Sequence, residues 1–167
     1  MSNERRPSES LSSQRGYSLI ELLVVVAIVG VLSLVMVPNF MSLYQSNRMK
    51  SAMRQFTSDV RGARQEAVTS YRFTKISIVP GTGTYRIEAS PDLGTTWNVV
   101  SEKTMMEPIT FASTTFLDGD GDDDPEFIFR NNGTTATAGT IVIETEADIP
   151  NNSITIEINT VGTVKTI

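Results

Sequence analysis

Two residue types are absent from the 167-residue chain, which contains no cysteine and no histidine. Without cysteine there can be no disulfide bond, no zinc–thiolate site and no thiol nucleophile. Without histidine the chain lacks the commonest general base, and a Ser-His-Asp triad is impossible. These absences indicate that the protein is not an enzyme and that its fold is held by packing alone. No cofactor is expected, with the exception of Ca²⁺ at an acidic segment described below.

Positive charge is also scarce, because 14 Lys and Arg residues face 19 Asp and Glu residues and the net charge is −5. A nucleic-acid-binding domain normally carries a basic face that neutralises phosphates. The acidic balance therefore argues against nucleic acid as a partner.

One long apolar stretch dominates the N-terminal part of the chain. Residues 17–37 carry a single charge, Glu21. As a helix this stretch would be about 30 Å long, enough to cross the hydrocarbon core of a bilayer. We therefore predict a transmembrane or assembly helix over residues 17–38. Arg5, Arg6 and Arg15 precede it, which places residues 1–16 in the cytoplasm as a leader and the rest of the chain outside the inner membrane.

The carboxylate of Glu21 is unusual, since an unpartnered charge within a membrane costs several kcal/mol. An α-amino group would be a suitable partner if the chain were cut just before Tyr17. Gly16 followed by Tyr17, Glu21 and the apolar run resembles the class III signal of type IV pilins and type II secretion pseudopilins, although Tyr17 replaces the usual Phe. The resemblance implies that a prepilin peptidase cuts between Gly16 and Tyr17 and methylates the new amine of Tyr17. It also implies a role for Glu21 in assembly.

Beyond the apolar stretch the pattern becomes amphipathic over residues 39–70. Apolar side chains recur there at steps of three and four: Met49, Ala52, Met53, Phe56, Val60, Ala63 and Ala67. This spacing predicts that the same helix continues with one face packed on a sheet, with Phe56 at the centre of the contact. The charged residues on its other faces are expected to be solvated.

Residues 71–167 change to short alternating runs separated by turn residues, which predicts a periplasmic antiparallel β-domain. The predicted strands are 74–79, 84–88, 97–101, 109–111, 114–117, 126–130, 140–144, 153–158 and 163–166. The first two form a hairpin. The fold class is therefore α+β, a long N-terminal helix packed on an antiparallel sheet.

The β-region is similar to the GspH/FimT-type minor pseudopilins in its strand at Phe127–Phe129, in Gly133, in Ile141–Ile143 and in the terminal Gly162. Some members of the FimT type bind DNA through a basic Gly-Arg-x-Arg sequence near the C-terminus. Here the matching stretch is Gly162-Thr163-Val164-Lys165, and both arginines are missing.

The acidic segment Asp118–Glu126 is the one candidate metal site. Asp118, Asp120 and Asp122 follow the start of an EF-hand loop, whose hard oxygens bind Ca²⁺. The pattern then fails, because Asp123 stands where the loop needs Gly and Phe129 where it needs Glu. A solvated hairpin loop is the alternative interpretation, and we favour it.

The resemblance implies a minor subunit of a type II secretion pseudopilus or a type IV pilus, and the sequence leaves these two open. Its partners would be other pilin or pseudopilin subunits, the prepilin peptidase, membrane lipid and the inner-membrane assembly platform. The alternative function is a FimT-like minor pilin that binds DNA in natural transformation, or a subunit that displays an adhesion or binding domain.

Overall fold

The computed structural model describes residues 17–147, 149 and 151–167. The predicted leader, with Gly16 of the expected cut, lies outside these residues. The described residues form one helix and eight strands: α1 Leu19–Thr69, β1 Phe73–Ile78, β2 Thr84–Ser90, β3 Asn98–Thr104, β4 Ile109–Thr114, β5 Glu126–Phe129, β6 Gly139–Thr145, β7 Ser153–Ile158 and β8 Val164–Thr166. The chain divides into two compact units, one ending at Asn39 and the other spanning Phe40–Ile167.

Helix α1 confirms the prediction of one long helix and has recognisable ends. It begins after Ser18, whose carbonyl accepts hydrogen bonds from the N–H groups of Glu21 and Leu22 at 3.0 and 3.2 Å. A serine followed three residues later by glutamate is a favoured start, and a negative charge in the first turn complements the helix dipole. The helix ends at Thr69, and Tyr71 just beyond it adopts a left-handed conformation with φ 57°. The N–H of Arg72 then donates to the carbonyl of Ala67 at 3.2 Å, which caps the last turn.

The second half of α1 buries the predicted apolar stripe. Met49, Phe56, Val60, Ala63 and Ala67 are at most 4% exposed. Ala52 and Met53 are half-buried against the same core. The 3.6-residue periodicity therefore identified the buried face of this helix correctly.

The strands form two four-stranded sheets, where the sequence indicated only an antiparallel domain. The first sheet has the order β3-β2-β1-β5 and the second has the order β4-β6-β7-β8. The predicted hairpin of β1 and β2 is confirmed, with Ile76 opposite Ile87. A second hairpin joins β6 to β7, with Ile141 opposite Ile156.

Two predictions about the middle of the chain are wrong. The strands expected at 109–111 and 114–117 are one strand, β4, which continues to Thr114 through an irregularity between Phe111 and Ser113. The acidic segment is not a hairpin loop, because β4 lies in the second sheet and β5 lies beside β1 in the first. It is a crossover that connects the second sheet to the first. The sequence does not show this, because strands that follow one another in the chain can lie in the same sheet or in different sheets.

The core of the second unit centres on Phe56, which is fully buried. Its ring meets Tyr85 of β2 edge-on at a centroid distance of 5.0 Å and Phe111 of β4 at 5.2 Å. Helix α1 and both sheets therefore meet at this one side chain.

We expect Phe56→Ala to lower the free energy of unfolding by about 3–5 kcal/mol, because it removes a buried ring and leaves a cavity. Phe40→Ala is the matched control, since Phe40 belongs to the same helix but is 67% exposed. Denaturant unfolding of the full chain in detergent measures both variants. Equal effects of the two substitutions would contradict the central position of Phe56.

Candidate functional site

The first candidate site is the N-terminal part of α1, whose surface is apolar on all sides. Every Leu, Ile and Val side chain from Leu19 to Leu34 is more than half exposed, and Leu34 reaches 78%. Gly30 lies on the same open surface, because a Cβ added there would meet no atom within 4 Å beyond its own turn of the helix. An all-round apolar helix requires cover from lipid or from other protein. Among the described residues, no helix combines the length and the apolar character needed to cross a membrane.

Two of the residues predicted from the sequence lie at the start of this helix: Tyr17, the predicted cleavage and methylation site, and Glu21, the predicted assembly residue. Tyr17 precedes the first turn and is 87% exposed. Glu21 lies within the first turn. In the described part of the chain no cation faces the Glu21 carboxylate, so the predicted amine partner remains a prediction.

The second candidate site is the acidic loop, which we define as Asp118–Asp124. Asp118 organises its backbone, because the carboxylate accepts N–H groups from Asp120, Gly121 and Asp123 at 3.2, 2.7 and 3.0 Å. Gly121 and Asp123 both have left-handed backbones, with φ 84° and 68°. Such a turn suits a short polar side chain that bonds its own backbone.

A buried lysine holds this loop against the first sheet, and sequence reasoning missed it. The side chain of Lys75 in β1 is only 2% exposed. Its ammonium lies 2.7 Å from Asp120, 2.9 Å from Glu126 and 3.0 Å from Glu88. The indole of Trp97 faces the same ammonium at 5.2 Å. The only sign of this cluster in the sequence was a lysine within an alternating strand. The three carboxylates could not be assigned to it, because they come from other segments of the chain.

Arg86 makes a second attachment between the sheet and the loop. Its guanidinium contacts the carboxylate of Asp124 and lies 3.9 Å from that of Asp122. The carboxylates of Asp120, Asp122 and Asp124 are therefore paired with cations of the first sheet, rather than simply solvated.

The electrostatics of Lys75 follow from these contacts. Burial alone would lower the pKa of Lys75, but the hydrogen bonds to Asp120, Glu126 and Glu88 outweigh it and raise the pKa above the usual 10.5. The stabilisation from this ammonium is therefore complete below that usual value. It is lost only as the pH rises through the higher folded pKa.

The carboxylates respond in opposite directions. The hydrogen bond from Lys75 lowers the pKa of Asp120. Burial, followed by the charge of Asp120, raises the pKa of Asp122. Burial also raises the pKa of Glu126, an effect that Lys75 only partly offsets. Asp120 is therefore a stronger acid than usual, whereas Asp122 and Glu126 are weaker acids.

The three residues of the predicted Ca²⁺ site do come together, since Asp118, Asp120 and Asp122 each offer an oxygen within 4.8 Å of the others. Ca²⁺ requires six to eight oxygens. Asp120 is already paired with Lys75, and Asp118 accepts three backbone N–H groups. Phe129, at the position of the bidentate EF-hand glutamate, is fully buried in β5. The donor set therefore fits a loop that is attached to the first sheet by ion pairs better than a calcium site.

The C-terminal glycine has a packing role that the sequence did not reveal. Arg64 of α1 donates to the carbonyls of Gly133 and Val161 at 2.8 and 3.0 Å. Gly162 has φ +79°, and a Cβ there would lie 2.2 Å from the Gly133 carbonyl. Only glycine fits this close approach between two turns and the helix.

Comparison with known sequences gives two matches. The sequence model of the type II transport protein GspH matches residues 52–162, more than half of the chain. The model of the prokaryotic N-terminal methylation motif matches residues 11–37. No curated protein matches the chain.

Comparison with solved structures shows the same fold in two proteins. The minor pseudopilin EpsH from the type 2 secretion system of Vibrio cholerae is 14% identical, with a TM-score of 0.57 over 72% of this chain and 96% of that chain. The type IV minor pilin FimU of Pseudomonas aeruginosa is 17% identical, with a TM-score of 0.56 over 75% of this chain and 92% of that chain. The α+β prediction of a helix on antiparallel strands is confirmed by both.

We expect Lys75→Gln to lower the free energy of unfolding at pH 7 by about 3–5 kcal/mol, because removing one partner leaves buried carboxylates without a counter-charge. Their folded pKa values would then exceed the unfolded ones, so the folded state would bind protons more readily. The deficit should therefore shrink as the pH falls towards about 4. Denaturant unfolding at several pH values measures this.

Lys165→Gln is the matched control, because Lys165 is exposed on β8 and makes no ion pair in the described chain. A Ca²⁺ arm completes the experiment, with melting in EDTA and in millimolar Ca²⁺ at constant ionic strength. We expect Ca²⁺ to leave the melting temperature of the wild type unchanged, because the carboxylate of Asp120 is already paired with Lys75. A clear rise that is lost in Asp120→Ala would instead establish the calcium site.

Proposed function

The chain belongs to the GspH family of type II transport proteins, and from this we propose that it is a minor pseudopilin or minor pilin. It is anchored in the membrane and assembles into a filament through the N-terminal part of α1. The match to the N-terminal methylation motif over residues 11–37 supports this function.

The observation that carries the proposal is the uncovered apolar surface of α1 from Leu19 to Leu34. Burial of apolar surface contributes roughly 25 cal/mol per Å², so such a surface cannot remain in water. Lipid tails and the interior of a helical bundle are both apolar. A helix can therefore leave the bilayer for a filament at little cost, provided that neighbouring helices pack closely.

We place the leader, residues 1–16, in the cytoplasm and the β-domain in the periplasm, with a single crossing of the inner membrane between them. A prepilin peptidase cuts after Gly16 and methylates the amine of Tyr17. The partners are other subunits of the filament and the inner-membrane assembly platform. The position of Arg5, Arg6 and Arg15 before the apolar stretch supports this orientation.

Glu21 provides the register of assembly. Cutting before Tyr17 creates an amine four residues from the Glu21 carboxylate, and the same amine on a neighbouring subunit could meet it after an axial shift. In an apolar surrounding a charged pair of this kind is a strong interaction, so it selects one alignment of the helices.

We expect cleavage between Gly16 and Tyr17. Intact-mass analysis of protein extracted from membranes should give the chain without residues 1–16, increased by one methyl group. Gly16→Ala should slow or block the cut, because the family resemblance makes this glycine the recognition point of the peptidase. Ser13→Ala, within the leader but away from the cut, is the control. Retention of residues 1–16 in cells with an active prepilin peptidase would contradict the proposal.

We expect Glu21→Ala to insert into membranes normally but to assemble poorly, because the substitution removes a charge and with it the partner of the Tyr17 amine. Recovery in sheared filaments, relative to the membrane fraction, measures assembly. Ser33→Ala is a control in the same helix, since its hydroxyl only bonds the Val29 carbonyl at 2.7 Å. Normal recovery of Glu21→Ala in filaments would contradict the role of Glu21 in setting the register. It would not affect the prediction of cleavage after Gly16.

A further inference from the structure

Strand β3 forms an open edge of the first sheet. In the part of the chain that the structure describes, β3 pairs with β2 on one side and with no strand on the other. Exposed apolar side chains accompany this edge, with Val99 at 56% and Val100 at 63%. An edge of this kind presents unpaired backbone N–H and C=O groups to a further strand.

The alternation of the ladder identifies which groups are free. Lys103 stands opposite Tyr85, and the N–H of Met105 donates to the carbonyl of Gly83 at 2.9 Å. Successive residues of a strand direct their backbone groups to opposite sides. The N–H and C=O groups of Glu102 and Thr104 therefore face the open edge.

Two features that usually protect an edge are ineffective here. The irregularity between Ile87 and Glu88 leaves Val100 unpaired, but Ser101–Thr104 remains in regular register. Lys103 points towards α1, yet its ammonium is held by Asp59 at 2.7 Å. Asp59 is in turn fixed by the Tyr85 hydroxyl at 2.5 Å. The charge of Lys103 is thus satisfied internally.

A cavity of about 400 Å³ lies beside this edge, between β3 and α1. Its walls include Arg48, Ala52, Gln55, Thr104, Met105 and Met106. Met106 is 70% exposed, and methionine adapts its shape to an incoming side chain. A side chain of an added strand that stands opposite Lys103 or Met105 would enter this cavity, because opposite residues share a face of the sheet.

Arg48 supplies the charge of the cavity. Its guanidinium contacts the carbonyl of Glu107 and lies 5.7 Å over the ring of Tyr44. Its Nε atom is buried without a hydrogen-bond acceptor. No carboxylate of the described chain pairs with Arg48. A carboxylate from a partner is the acceptor that matches the accessible side of its guanidinium.

We propose that the β3 edge and this cavity bind an extended acidic segment of a partner protein by strand addition. The segment pairs with Glu102 and Thr104 through its backbone. It places an apolar side chain against Ala52 and Met105, and a carboxylate two positions away on the same face reaches Arg48. Strand addition uses main-chain bonds for affinity and side-chain pockets for specificity. This binding site lies outside the apolar surface of α1 and does not depend on assembly through it.

The test uses the full chain in detergent and a blocked fluorescent heptapeptide, Thr-Val-Thr-Glu-Thr-Val-Thr, whose Val and Glu side chains share one face. Fluorescence anisotropy should detect binding. Two versions of the peptide carry N-methyl groups on every second amide. One version methylates the odd-numbered amides and the other the even-numbered amides, so each blocks the N–H groups on one side of the strand. Only the version that blocks the N–H groups facing β3 should lose binding. No binding, or equal binding of the two versions, would overturn the proposal.

Protein variants test the two contacts separately. Thr104→Pro removes an outward N–H and should abolish binding, since proline is tolerated at the open side of an edge strand. Arg48→Gln should weaken binding by about tenfold or more. Arg54→Gln is its matched control, because Arg54 is exposed on the same helix and should bind the peptide as the wild type does. Unchanged binding by both Thr104→Pro and Arg48→Gln would overturn the site.

Circular dichroism establishes whether each variant is folded. If Thr104→Pro is not folded, the binding of the two N-methylated peptides to the wild type tests the proposal instead. The oligomeric state of the wild type is measured in the same detergent. A dimer that is lost in Thr104→Pro and is not displaced by the peptide would assign the edge to a second copy of this chain, which would overturn the acidic segment as its occupant.

Discussion

The second unit depends on one contact, the burial of the α1 stripe beneath two sheets. Phe56 meets Tyr85 from the first sheet and Phe111 from the second, so the two sheets share a single helix as their common core. A chain without cysteine has no covalent alternative to this packing. The position of each strand, and of the acidic loop between sheets, follows from the need to cover that stripe.

The charged part of the fold obeys a second rule, that a buried ion must be paired. Lys75 occupies a central strand that is buried on both faces, and it is stable there because three carboxylates surround it. Such a cluster adds little net stability compared with an apolar core. Removing one of its members nevertheless destabilises the folded protein strongly, because a buried charge loses its partner. Its effect is to hold the acidic loop on one face of the first sheet. Of the carboxylates that resemble a calcium loop, Asp120 and Asp122 take part in this attachment, and Asp118 holds the backbone of the loop itself.

Helix α1 meets two different demands along its length. From Leu19 to Leu34 its side chains are exposed and apolar on every side, which suits a partner that surrounds the helix. From Met49 to Ala67 only one stripe is apolar, and the fold itself covers that stripe. A change in hydrophobic pattern within one continuous helix thus separates the surface available for assembly from the surface used for folding.

Local patterns in the sequence determined much of this protein. The apolar run with Gly16, Tyr17 and Glu21 indicated the family, and the periodicity of α1 indicated its buried face. Alternation and turn residues located most strands, because these signals act between near neighbours.

The tertiary structure alone decided which strands share a sheet, that β4 is one strand and that the acidic loop crosses between sheets. It also decided that Lys75, Glu88, Asp120 and Glu126 form one cluster, and that Arg64 lies between Gly133 and Gly162. These contacts join residues far apart in the chain, and no local propensity encodes them. They arise only when the helix stripe is covered and the remaining polar groups must find partners.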